Sequence, residues 1–145
     1  MAYMNQERKK ELAPAIKAVL KKYGMKATIA VRNHMSLAVN IKEGKLDLIG
    51  NANRFNQYRA DLRGEEAYPV RDYLQVNQFY AAEWAQQIGE TEIANFYEEL
   101  VDAMNGREAS VQNHDNSDAM TDYFDVGWYI DINVGGWNKP YKVAA

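Results

Sequence analysis

Oxygen-bearing side chains crowd one stretch of this sequence. Residues 113–118 read Asn-His-Asp-Asn-Ser-Asp, and Asp122 and Asp125 follow shortly after. Asn113, Asp115, Asn116, Asp118, Asp122 and Asp125 offer the hard donors that Ca²⁺ or Mg²⁺ takes. A calcium-binding loop also needs a Gly at its sixth position and a Glu at its twelfth, and neither is present. Asn and Asp gather in loops for a second reason, because their side chains bond the nearby backbone. The stretch is therefore expected to be a turn-rich loop, with no metal assigned to it.

The remaining chemistry is sparse. His34 and His114 lie in separate polar turns, without the HExxH spacing of a zinc site. A catalytic histidine needs a nucleophile and an orienting carboxylate beside it, and no local spacing supplies them. There is no cysteine, which removes thiolate ligands, disulfides and thiol nucleophiles. Gly135-Gly136 is not followed by a helical pattern, so no phosphate loop is expected. The expectation is no catalytic residue and no cofactor, and a binding role is favoured over an enzymatic one, which stays open.

With 17 basic and 20 acidic residues in 145, the net charge is −3. There is no bulk basic field to attract nucleic acid, and too little acidity to imitate it. No run approaches the ~20 apolar residues of a membrane span. The start, MAYMNQERKK, lacks the apolar centre of a signal peptide. A single soluble domain is expected, and no membrane contact.

Helical spacing of Leu12, Ile16, Val19, Leu20 and Tyr23 predicts a first helix over 5–23, capped by Asn5. Pro14 should kink it or split off its first turns. Period-2 alternation follows in Thr28–Arg32 and Leu37–Lys42, and the pattern closes only with an odd-numbered loop around Asn33–Met35, read as three residues. That loop calls for positive φ at Asn33 or His34. A short strand is expected over Leu46–Ile49, and a helix capped by Asn53 and stopped at Gly64. Tyr73–Asn77 alternates as a strand. Gln78–Ile88 reads as a helix, and Thr91 should cap a second one carrying Ile93, Phe96, Tyr97, Leu100, Val101 and Met104 on one face. Trp128, Ile130, Ile132 and Val134 alternate in a closing central strand before Gly135-Gly136. Trp137 and Tyr141 follow in a tail laid across the body.

These elements imply an α+β fold, with a single antiparallel sheet of about four strands and three to four helices on its apolar face. The other face would show Thr28, Arg32, Asn40, Lys42, Tyr73, Gln75, Asn77, Tyr129, Asp131 and Asn133. The candidate binding surface joins Arg32, Asn40, Lys42, Tyr73, Gln75, Tyr129, Asp131 and Asn133 of that face to His114, Asp115 and Asp118 of the loop.

Three segments carry a family resemblance: KKYGMKATIAVRNHMSLAVNIKEGKLDLIGN, DYLQVNQFY, and NHDNSDAMTDYFDVGWYIDINVGGWNKPY. Together they resemble the large polyvalent-protein-associated domains of bacteriophages and other mobile genetic elements. The most specific part is HDNSD followed by TDYFDVGWY. The resemblance implies a module often fused into giant polyproteins, some of which are thought to enter a recipient cell with incoming DNA. It supplies no catalytic residues. The implied function is that of an accessory protein in the cytoplasm of a bacterial host cell, acting by binding a host protein and inhibiting a host defence or another host process. The alternative is a nucleic-acid-binding module that uses the polar sheet face together with Lys9, Lys10, Lys17, Lys21 and Lys22 of the first helix. A metal-dependent hydrolase built on the Asp-rich loop is a third reading. No pattern in the sequence specifies an oligomeric state.

Overall fold

The structure is a computed structural model that describes residues 2–70, 72–107, 109–115 and 126–144. The first helix, α1, is Gln6–Lys22. Asn5 caps it by accepting from the Arg8 N–H at 2.8 Å, and Lys21 and Lys22 complement the dipole in its last turn. The helix runs unbroken through Pro14, so its first turns are not a separate piece. Proline removes the bond to the carbonyl four residues back and crowds that carbonyl, a local cost opposed by the burial of Leu12 and Ile16 on either side of it.

The hairpin forms in the predicted register. β1 (Met25–Arg32) and β2 (Ser36–Gly44) pair antiparallel, with Val31 opposite Leu37 and Arg32 opposite Ser36. Asn33 and His34 both take positive φ, 53° and 56°. α2 (Leu48–Arg63), β3 (Leu74–Gln75), α3 (Ala81–Gln87) and α4 (Thr91–Met104) follow, then β4 (Tyr129–Val134) and β5 (Lys142–Val143).

Two features of the expected sheet are corrected. It is mixed and has five strands, in the order β1-β2-β4-β3, with β5 also on β2. β4 and β5 both run parallel to β2, whereas β3 runs antiparallel to β4. Side-chain alternation is identical for either direction, so the periodicity that located β4 carried no information about its sense.

Leu37, Val39 and Ile41 of β2 and Ile130, Ile132 and Val134 of β4 share the buried face. α1 packs on β1 and against α4, and α3 packs on α4. The core joins Leu12, Ile16, Leu20, Phe96, Leu100 and Met104 of this helical layer to the sheet. Lys22 pairs with Glu99 at 2.6 Å and the Tyr23 hydroxyl donates to the same carboxylate, which ties α1 to α4.

Around α2 three expectations change. Leu48 and Ile49 are helical, so there is no strand over Leu46–Ile49. Asp47 is the cap and accepts from Gly50 N–H at 2.9 Å. Asn53 lies inside the helix and exchanges two hydrogen bonds with the Val70 backbone, both 2.7 Å. Gly64, at φ 66°, ends the helix as predicted. Glu90 is the cap position of α4 and makes no side-chain cap bond, so Thr91 is not the cap. Glu90 instead binds Arg54 through both its oxygens, at 2.6 and 3.0 Å.

The hydrogen bonds from Arg54 hold the Glu90 carboxyl below its ordinary value of 4.5, against the opposing effect of burial. A depressed folded-state value stabilises the fold at pH above 4.5 and ceases to do so as pH falls through the depressed value. Glu90→Gln should therefore lower Tm at neutral pH and narrow its gap to the unmodified chain as the solution is acidified through that window. Thermal melts across pH check this.

Candidate functional site

A groove lies on the outer face of the sheet. Pairing aligns Thr28 of β1 with Asn40 of β2, Asn40 with Asn133 of β4, and Asn133 with Gln75 of β3, making one polar row across four strands. Asn40 Oδ1 accepts from Asn133 Nδ2 at 3.0 Å and from Arg32 Nη2 at 3.2 Å, so the centre of the row is cross-linked. Hydrogen-bonded amides at fixed spacing form a preorganised surface.

The wall of the groove comes from the chain between β4 and β5. Gly135 N–H donates to Ile41 O at 2.8 Å, and Gly136 and Lys139 then exchange two backbone bonds across a tight turn. Asn138 takes a φ of 61° inside this turn. The turn raises Trp137 and Lys139 at the rim, and β5 brings Lys142 beside Glu43. Gly135 is required: its φ is 69°, and a Cβ there would lie 2.7 Å from Asp72 O and 3.1 Å from the Tyr73 Cβ. Gly135→Ala is expected to cost about 1–3 kcal/mol, read from urea unfolding.

Tyr141 pins the wall from below. It is buried, and its hydroxyl donates to Leu46 O at 2.5 Å. Burial raises its pKa above the usual tyrosine value, which keeps the hydroxyl protonated as a donor.

The resulting groove encloses about 1060 Å³. Among the described residues lining it, four are cations (Arg32, Lys42, Lys139 and Lys142) and one, Glu43, is a carboxylate. Glu43 is itself 3.9 Å from Lys26. A chain with a net charge of −3 thus concentrates positive charge in one groove. Two aromatic rings are open to it, Tyr73 at 47 % and Trp137 at 78 % exposure.

Of the residues predicted from sequence, Arg32, Asn40, Lys42, Tyr73, Gln75 and Asn133 come together here. Tyr129 and Asp131 share their face of the sheet but sit further along β4, outside the groove. Asn77 serves as a turn residue, accepting from Phe79 and Tyr80 N–H. His114 and Asp115 line a separate concavity of about 380 Å³ with Asn105, Arg107, Gln112 and Asn113. Asp118, with Asn116, Asp122 and Asp125, lies outside the described residues. Among the described residues, no three His, Asp or Glu gather as a metal site. The lysine side of α1 belongs to the helical layer on the opposite face, so the helix and the sheet face do not form one joint site. Trp137, Lys139 and Lys142 were missing from the predicted surface.

Asn113 has a structural role. Its Oδ1 accepts from Trp128 N–H at 3.0 Å and His114 N–H at 2.9 Å, and its Nδ2 donates to Asn105 Oδ1 and Trp128 O, both 2.9 Å. Asn113→Asp should destabilise the fold by about 2 kcal/mol at pH 7, because a carboxylate would confront two acceptors with no donor. Urea unfolding of the variant at pH 7 checks the value.

No family model, curated protein or solved structure matches this chain.

Proposed function

We propose that this chain is a binding module and that the groove on the outer sheet face is its working surface, taking an extended anionic partner. The observation that carries this reading is the segregation of Arg32, Lys42, Lys139 and Lys142 around Glu43 in a chain of net negative charge. Low-dielectric walls focus such a local field and raise the concentration of opposite charge at the groove. Preorganised amides then add hydrogen bonds without a large ordering cost. The resemblance to mobile-element modules supports a partner in a bacterial host cell, with interference with a host defence or host process as the proposed outcome of binding. A host protein, the partner inferred from the sequence, would satisfy the same charge pattern by presenting an acidic segment.

The test is elution from an immobilised sulfated polyanion. Lys42→Glu/Lys139→Glu should elute at distinctly lower salt than the unmodified chain. Lys10→Glu/Lys17→Glu on α1, with the same change in net charge, should retain most of the binding. Equal losses for both double variants would reduce the effect to net charge and remove the groove from the account.

A further inference from the structure

The groove holds more than charge, and what else it holds bears on the chemistry of its occupant. Resting on the anionic-partner reading, we infer that the occupant is single-stranded nucleic acid, with bases stacked on Trp137 and Tyr73 and phosphates held by the surrounding cations.

Three observations favour a nucleic acid strand over an acidic polypeptide. First, Trp137 is 78 % exposed and Tyr73 47 %, while Phe55, Trp84 and Tyr80 stack on one another elsewhere. Carboxylates gain little from an open ring, whereas every base offers a π-face to it. Second, the row of Thr28, Asn40, Asn133 and Gln75 presents hydroxyl and amide groups. Amides both donate and accept, which matches base edges. The Asn40 oxygen is already held by Asn133 and Arg32, and side-chain carboxylates, which only accept, cannot donate to the Asn133 and Gln75 oxygens as base edges can. Third, four strands at ~4.8 Å spacing give the row a length of about 14 Å, comparable with sheet platforms on which two or three bases stack. A duplex keeps its base faces stacked within the helix and cannot use the rings, so unpaired strands are selected.

The interleaved acids of the sequence weigh against this reading only while their positions are unknown. Asp131 lies on the same face but outside the groove, and Glu43 faces Lys26 as well as the groove.

The experiment titrates the intact chain with a labelled 12-nucleotide single strand (DNA, then RNA), the matching duplex, and polyglutamate of similar charge, at low salt. Binding is followed by anisotropy and by tryptophan fluorescence. The single strand should bind tighter than duplex and polyglutamate and should quench Trp137. That quenching should vanish in Trp137→Phe, whose smaller ring retains part of the affinity. Trp137→Ala should weaken binding by about 5- to 150-fold, the range for one stacked base. Polyglutamate binding as tightly as the strand, without quenching and sensitive to Lys42→Glu/Lys139→Glu, would overturn the nucleic-acid assignment and leave the anionic groove standing. Duplex binding equal to single strand would overturn the selection of unpaired bases. No binding of any polyanion, or strand binding untouched by the groove variants, would overturn both readings.

Discussion

Trp128→Ala is expected to lower the unfolding free energy by about 3–5 kcal/mol, a large part of the ~5–15 kcal/mol available to a domain of this size. Trp128 is among the largest fully buried side chains, 2 % exposed, at the entry to β4. Its Nε1–H donates to Met104 O at 3.1 Å, satisfying a carbonyl at the end of α4 that the helix itself leaves open. Its backbone N–H and C=O are both held by Asn113. One residue thus joins the end of α4, the 105–115 segment and the start of the interior strand. Trp128→Phe separates the two contributions. It retains most of the apolar burial but leaves the Met104 carbonyl without its donor, for an expected loss of about 1–3 kcal/mol. Urea unfolding followed by circular dichroism gives both values. Equal, small losses would mean that the side chain does not bridge helix and sheet.

Tyr141→Ala should cost about 3–5 kcal/mol and, unlike Trp128→Phe, should abolish groove binding in the population that remains folded. Tyr141 N–H donates to Asp72 O at 2.9 Å, and its hydroxyl reaches Leu46 O, so the residue ties the tail to two separate segments. Beyond it, β5 is two residues long and pairs only with Glu43 and Gly44 of β2. So short a strand contributes little by itself. Without the buried ring, Trp137, Lys139 and Lys142 lose their fixed positions above the amide row. Tyr141→Phe leaves Leu46 O without its hydroxyl donor and should cost about 1–3 kcal/mol, with weaker but measurable binding. Denaturation and polyanion titration on the same samples distinguish loss of fold from loss of the wall.

Local rules carried much of the structure into the sequence. The hairpin register followed from alternation and a three-residue loop, and the cap at Asn5 and stop at Gly64 from single residues. The inward set Trp128, Ile130, Ile132 and Val134 followed from period two. Failures fell where two signals competed within a few residues. Asp47 and Asn53 both suit a cap, and the apolar Leu48-Ile49 pair that resembled a strand is the first turn of α2. The parallel sense of β4 was illegible because side-chain alternation is the same for either strand direction.

The candidate site divides in the same way. Arg32, Asn40, Lys42, Tyr73, Gln75 and Asn133 were readable as a face because alternation assigns faces. Lys139 and Lys142 were not, because a nonlocal pairing folds the tail back onto β2. The signal that was present is the turn chemistry of Gly135, Gly136 and Asn138 followed by lysines, which marks a reversal carrying charge back toward the sheet. Only in three dimensions do the cations separate from the acids.

The most direct measurement is a ¹⁵N NMR titration of the chain with a single-stranded oligonucleotide. Occupation of the groove predicts the largest shifts at the side-chain amides of Asn40, Gln75 and Asn133, the Trp137 indole, and the backbone of Lys42 and Lys139. Shifts centred on the lysines of α1 or on the 105–115 concavity, or none at all, would contradict it.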